Sequence, residues 1–414
     1  MNTLIPLAEQ ARQASFILAN ASTQQKNKVL HCIADKLIQK THTIILANQQ
    51  DLENAKQNAM SNAMIDRLTL TKERIESMAQ AVLEIELLSD PIGQLLDSTL
   101  RPNGLKIDKI SVPLGVLGFI YEARPNVTIE AASLCIKSSN VVILRGGKEA
   151  LQSNCCLVEL MREALREHDL PEDCIQLITD TRRTSAVDLM TCTSYIDALI
   201  PRGGKNLIQS VIQNSKVPVI ETGAGNCHIY VDEFVNIAQA ISICVNAKVS
   251  RPAVCNSVET ILIHKNIAEQ FLPALINELV INHVDVRGCP QCKQLVPTLS
   301  CATEEDYETE YNDLIVAIKI VDTIDEVIQH IRRYTTHHSE AILTTIDEHA
   351  KQFTSQLDSA VIYVNASTRF TDGNEFGFGS EIGISTQKLH VRGPIGLREI
   401  TSYKYIITGD GQIR

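Results

Sequence analysis

Cys255 stands in the run RPAVCNSVETILI, between an Arg-Pro pair and an Asn-Ser pair and just ahead of an apolar, β-branched stretch. A thiol at a polar junction into a strand has room for an incoming carbonyl and neighbours able to hold it as thiolate. Many intracellular cysteines are instead small buried hydrophobes, so the rest of the chain has to decide between the two. A thiolate adding to a carbonyl generates an oxyanion, which calls for a side-chain amide and a backbone N–H aimed at it. Asn126, in YEARPNVTIEA, follows a strand-like run and opens a helix-like one. It is a candidate for that amide, and equally for the cap of the helix, which asparagine serves well.

Two turns carry paired cations. VVILRGGKEA puts Arg145 and Lys148 around Gly146 and Gly147, and SYIDALIPRGGKNLI puts Arg202 and Lys205 around Gly203 and Gly204. Neither is a P-loop or a GxGxxG. Cations at a strand-to-helix turn suit a phosphate such as that of a nucleotide; a solvated charged turn is the alternative, and two such turns favour the nucleotide. Arg124 and Arg251 lie within a few residues of Asn126 and Cys255, with Lys248 close by. An arginine fork suits a carboxylate or a phosphate, and a surface role stays open for each. His390 and Arg392, in KLHVRGP, are candidates for a phosphate-side or subunit-interface role.

The elements that must position these residues follow from periodicity. Residues 1 to about 90 show helical spacing, with Asp51, Asn58 and Asp90 near expected breaks. From VPLGVLGFIYE onward, β-rich runs alternate with helical segments: VVILRGG, CIQLIT, SYIDALIPRGG, VPVIETGAG, CHIYVD, VETILIH, IVAIKIVD and AILTTID. This alternation predicts doubly wound parallel sheets, in which ligands bind at the carboxyl ends of strands.

At 414 residues, two or three domains are expected. A net charge of −11 argues against nucleic acid and anionic membrane as partners, though a local basic pocket can still hold an anionic small molecule. No apolar run reaches the ~18 residues a membrane span needs, and the N-terminus lacks signal-peptide order. Twelve cysteines without an export signal point to a reducing compartment. Cys289 and Cys292 form a single CPQC, with His283 and Cys301 nearby, which is a weak metal signal without a second pair. The adjacent Cys155 and Cys156 read as packing residues.

The order Asn126, LRGGK, PRGGK, ETGAG and Cys255 resembles the aldehyde dehydrogenase superfamily. More narrowly, VPLGVLGFIYEARPNVT, ETGAGNCHIYVD, AKVSRPAVCNSVET and FGFGSEIGISTQKLHVRGPIGL resemble its gamma-glutamyl phosphate reductase (glutamate-5-semialdehyde dehydrogenase) family. A fifth stretch is similar to that family's signature through Val321, His330, Ile331, Tyr334, Thr336, His338, Ser339, Glu340 and Ile342. It departs at Val327, where Ala is usual, and at Thr335, where Gly or Ser is usual.

The resemblance implies an α/β fold of two doubly wound domains plus a small oligomerisation element. The expected parts are a cofactor domain at 1–104 and 118–225, a catalytic domain at 226–365, and an oligomerisation element at 105–117 and 366–414. The implied activity is reduction of L-glutamate 5-phosphate to L-glutamate 5-semialdehyde and phosphate through a Cys255 thioester, the second step of proline biosynthesis. Implied partners are this small anionic substrate, glutamate 5-kinase for substrate transfer, and further copies of the chain, in the cytoplasm, with no metal. NAD-using relatives usually carry a Lys and a Glu where Arg145 and Lys148 stand, so a cation replaces a carboxylate. That favours a 2′-phosphate, and hence NADPH over NADH. Glu221, in ETGAG, stands where the superfamily holds a general base; a phosphate-linked enzyme needs no deacylating water, so a cofactor-side or structural role is expected. Two other readings are a hydrolytic aldehyde dehydrogenase relying on Glu221 and a nucleotide-binding member without turnover.

Overall fold

The computed structural model describes residues 4–414, the side chains of residues 62, 63 and 205 excepted. Lys205, a candidate for the second cationic turn, therefore has its side chain outside the description. The chain divides into two compact units. The first holds the residues up to Thr222 with Gly377–Gly383 and Ile395–Arg414, and the second holds Gly223–Phe376 with Ile384–Pro394. The expected third element, 105–117 and 366–414, is thus split between them.

In the first unit, amphipathic helices Leu4–Leu18, Thr23–Gln39, Thr41–Gln57 and Lys72–Leu87 precede a parallel sheet. Its strand order is Ile175–Leu177, Val141–Arg145, Val116–Tyr121, Ala198–Arg202. Every residue of Val116–Tyr121 is buried, as a strand covered by helices on both faces requires. VPLGVLGFIYE was expected as one run, but it breaks before Val116. Gly115 takes a φ of +127°, and a Cβ there would fall 2.2 Å from the Asp197 carboxylate. VPVIETGAG forms no strand: Pro218 has no N–H to donate, and only an isolated bridge joins Val219 to Leu199.

Asp51 also corrects an expectation. It lies inside helix Thr41–Gln57 and is buried. The helix Leu151–Glu167 begins at Ala150 with no side-chain cap of its own. Asp51 supplies that cap from another helix, accepting from the Gln152 N–H (3.1 Å), the Ser153 N–H (2.8 Å) and the Ser153 hydroxyl (2.7 Å). The helix Pro125–Lys137, which carries Asn126, is pinned at its far end. The buried Lys137 ammonium donates to Asn27 Oδ1 (2.7 Å) and the Glu86 carbonyl (2.6 Å). Strands Leu95–Leu100, Lys106–Pro113 and Thr401–Thr408 form a separate antiparallel sheet, with Leu96, Tyr405 and Ile407 exposed.

The second unit is a seven-stranded parallel sheet, ordered Ser300–Cys301, Asp285–Gly288, Ile315–Val321, Val258–His264, Cys227–Val231, Ser339–Leu343, Val361–Val364. Its apolar core gathers Phe271, Leu272, Leu275 and Leu279 of helix Lys265–Ile281 against Ile261, Ile263, Val316 and Ile318. Cys289 and Cys292 are buried at the start of helix Pro290–Leu295, their sulfurs 3.5 Å apart. An ion pair lies wholly inside this unit: Lys248 Nζ meets Glu259 Oε2 at 2.7 Å with both side chains fully buried. Burial pushes the Glu259 carboxyl up to about 8 and the Lys248 ammonium down, and their attraction opposes both shifts.

Two stability outcomes are expected. Asp51→Ala removes the cap shared between helices and should lower unfolding free energy by about 1–2 kcal/mol in urea titration. Lys248→Met strands a buried carboxylate and should cost more, about 3–5 kcal/mol in the same experiment.

Candidate active site

Cys255 is half-buried in a turn that leads directly into strand Val258–His264. Its backbone is held from one side by the ETGAGN loop. At Gly225, a Cβ would fall 1.5 Å from the Cys255 carbonyl oxygen, so only glycine permits the contact. The Cys227 thiol donates to that same oxygen at 3.2 Å. Burial raises the Cys227 thiol well above its ordinary value, which keeps it protonated and a donor.

From the other side the loop is held by residues 367–371, which sequence reasoning missed. Asn256 donates to the carbonyls of Arg369 (3.3 Å) and Thr371 (2.9 Å), and its own carbonyl accepts from the Thr368 hydroxyl (2.7 Å). The Arg369 guanidinium donates to Asn256 Oδ1 and, at 3.0 Å, to Ser250 Oγ. Arg251 is exposed and shares the electrostatic field of Arg369. The only signal in the sequence was the polar run NASTRFTDG after a β-rich stretch.

Residues of the stretch 321–342 fill the space beneath. The buried Glu340 carboxylate accepts from the His228 N–H (3.0 Å), the Ser359 hydroxyl (3.1 Å) and the Thr335 hydroxyl, and it is hydrogen-bonded to His228 Nδ1 (3.0 Å). Thr336 Oγ1 accepts from the Asn226 N–H at 2.9 Å, and the Asn226 amide donates to the carbonyls of Tyr307 and Tyr334. Burial holds His330 down to about 2 and His338 down to about 4, so both rings are neutral at physiological pH. His330 packs its ring against His228, Tyr307 and Tyr334, and His338 meets the Cys227 sulfur and the Ser339 hydroxyl.

His390 and Arg392 belong to this unit but not to the Cys255 loop. Arg392 pairs with Asp358 at 2.6 Å, and with Lys388 it draws the Asp358 carboxyl down to about 2. His390 is exposed with a φ of +72°.

The other candidates lie in the first unit. Asn126 follows Pro125 inside the first turn of its helix, and its amide donates to Glu130 Oε1 at 2.9 Å. It does not cap the helix: the cap position is Arg124, without a side-chain cap bond. An amide nitrogen has two N–H donors, so one remains available for an oxyanion. Arg124 is half-buried among Arg202, Arg67, Glu122 and Glu130, and burial lowers its guanidinium.

The two glycine turns differ. At the first, Gly147 opens a short 3-10 turn, Lys148–Ala150, and the Lys148 ammonium is exposed. Gly146 lies over Asn154 and the Tyr121 ring, where a Cβ would clash at 2.3 Å. Below it, Tyr121 Oη, Thr128 Oγ1 and Asn154 Oδ1 form a buried chain at 2.7 and 2.8 Å. Arg145 turns its guanidinium to the carbonyls of Thr181 (3.0 Å) and Arg182 (3.2 Å) and so braces the neighbouring loop. At the second turn an internal anion already occupies the helix start: Glu122 Oε2 accepts from the Gly204 N–H at 3.0 Å, and a Cβ at Gly203 would fall 2.7 Å from its carboxyl carbon. Glu122 also was not singled out in the sequence. Glu221 is half-buried, next to Thr222, whose hydroxyl donates to the Pro201 carbonyl at 3.2 Å.

Comparison with known proteins agrees with this architecture. The model of the family described as "Aldehyde dehydrogenase family" matches residues 4–287. The chain is 53% identical to the gamma-glutamyl phosphate reductase of Carboxydothermus hydrogenoformans and 52% identical to that of Clostridium perfringens, in both cases over 100% of either chain. The crystal structure of gamma-glutamyl phosphate reductase from Thermotoga maritima superposes with a TM-score of 0.98 at 47% identity, covering 99% of each chain. With a shared fold and about half of all residues identical over its whole length, the chain belongs to the aldehyde dehydrogenase family, in its gamma-glutamyl phosphate reductase branch.

Proposed function

We propose that this enzyme reduces L-glutamate 5-phosphate to L-glutamate 5-semialdehyde and inorganic phosphate with NADPH, as a phosphorylating, cytoplasmic glutamate-5-semialdehyde dehydrogenase of proline biosynthesis. The observation that carries the reading is the half-buried Cys255 in a loop fixed on both sides by glycine contact and hydrogen bonds. A nucleophile needs such fixing, because misplacement by about 1 Å can cost ~100-fold in rate.

The Cys255 thiolate attacks the acyl phosphate carbonyl, and the Cys255 N–H with the second N–H of Asn126 stabilises the oxyanion. The carbon–oxygen bond to phosphate breaks, phosphate leaves with its electron pair, and a glutamyl thioester remains on Cys255. Held at the first glycine turn by Gly146, Gly147 and Lys148, a reduced nicotinamide dinucleotide would supply the hydride that brings the thioester carbon to the aldehyde level. Breaking the C–S bond then returns Cys255 as thiolate and frees the aldehyde.

The residues of the first glycine turn fit such a cofactor: an exposed Lys148 ammonium beside glycines with no side chain to obstruct a phosphate. At the second turn Glu122 fills the anion position, so Gly203 and Gly204 support the cofactor side by shape rather than by holding phosphate. At the first turn Arg145 also braces the loop at 181–182. Glu221 has no water to activate in this chemistry and stays on the cofactor side. Arg124 and Arg251 are the cations offered to substrate carboxylate and phosphate, with His390 and the Asp358-paired Arg392 as further substrate-side candidates. Substrate transfer from glutamate 5-kinase and self-association through the antiparallel sheet that ends in Thr401–Thr408 complete the proposal.

Oxidation of glutamate-5-semialdehyde with NADP+, with and without inorganic phosphate, tests the reading in the reverse direction. NADPH formation should require phosphate and should be lost in Cys255→Ala. Phosphate-independent oxidation would assign the chain to hydrolytic chemistry with Glu221 as base. Asn126→Ala should lower kcat by roughly 10²–10³-fold with the fold intact. Lys148→Glu should shift kcat/KM from NADP+ toward NAD+ by roughly ten- to a hundredfold, the worth of a charge-assisted hydrogen bond; an unchanged preference would remove Lys148 from 2′-phosphate recognition.

A further inference from the structure

Arg369 is the cation most closely built into the nucleophile loop, and none of the chemistry above employs it. Its guanidinium spans the loop's two ends. Nε donates to Ser250 Oγ, at the end of helix Ile237–Val249, and Nη1 donates to Asn256 Oδ1, immediately after Cys255. Its carbonyl accepts from the Asn256 amide in return, so Arg369 and Asn256 are joined in both directions. Thr368 and Thr371, on either side, bond the same asparagine. A lysine could supply the charge but not this two-ended fork.

The charge lies beside the thiol in sequence: the guanidinium bonds Asn256, the residue that follows Cys255. Burial, and then Arg251 of the Cys255 loop, hold the Arg369 guanidinium below its ordinary value, against the attraction of Asp372, Cys255 and Glu375. Half-burial limits screening by water. A fixed cation favours the charged form of a nearby thiol.

We propose that Arg369 is the positioning residue of the nucleophile: it clamps the loop 250–256 at both ends and presents a permanent positive charge to the Cys255 sulfur. The proposal rests on Cys255 being the nucleophile. It separates two functions of one side chain, loop geometry through the fork and thiolate formation through the charge.

Alkylation of Cys255 by iodoacetamide as a function of pH, read peptide by peptide in the intact chain, distinguishes these functions. The eleven other cysteines serve as internal controls. Arg369→Met should raise the pH midpoint of Cys255 alkylation by about one unit, slowing reaction near neutral pH about tenfold, and should lower kcat. Arg369→Lys should restore the midpoint but not the full kcat. An unchanged midpoint in a folded Arg369→Met overturns the proposal. Should that variant not fold, Arg369→Lys decides: a wild-type midpoint with lowered kcat supports the clamp, and wild-type values of both overturn it. Failure of the underlying reading would look different, because Cys255→Ala would then retain aldehyde oxidation whatever the Arg369 variants do.

Discussion

The backbone at Gly225 runs so close to the Cys255 carbonyl that no side chain fits between them, and much of the second unit is organised to maintain that approach. The Gly225 N–H donates to Glu310 at 2.7 Å, Asn226 reaches Thr336, Tyr307 and Tyr334, and the Cys227 thiol donates to the Cys255 carbonyl. One residue further, His228 is bonded through both backbone and ring to the buried Glu340. The chain of contacts thus runs from the Cys255 peptide bond into the middle of the sheet. The buried Glu340 carboxylate is tolerated there because both of its oxygens accept hydrogen bonds, one from His228 and the other from Thr335 and Ser359.

Charge is distributed with equal economy. Deep in the second unit, Lys248 and Glu259 neutralise one another, and the histidines are kept neutral by burial. Near the surface, Arg369 and Arg251 bias the Cys255 loop toward positive potential although the whole chain is acidic. In the first unit, Glu122 occupies one helix start while the neighbouring glycine turn keeps an exposed lysine. Two similar sequence motifs therefore have different chemistry, and a side chain from a third segment makes the difference.

The parallel sheets were legible in the sequence because their buried strands are continuous apolar runs, VLGFIY and VVILR among them, each ending at a glycine turn or polar loop. Cys255 was legible because a lone cysteine amid Arg, Pro, Asn and Ser is chemically conspicuous. Arg369 and Glu122 were not, since each acts on residues distant in the chain and sits in an unremarkable polar run. Asp51 misled for the same reason: its partners, Gln152 and Ser153, are about a hundred positions away. The short strands Asp285–Gly288 and Val361–Val364 lacked a periodic signal long enough to separate them from loop. Local pattern reveals elements; long-range hydrogen bonding assigns the roles.

The central claim is that Cys255 carries the glutamyl group, and the most direct measurement is the mass of the Cys255 peptide after reaction with glutamate-5-semialdehyde and NADP+ in the absence of phosphate. The account requires a single burst of NADPH, one equivalent per active chain, with a hydroxylamine-labile glutamyl group on Cys255 that disappears when phosphate is added. Steady turnover without phosphate, or a glutamyl group on any other residue, would contradict it.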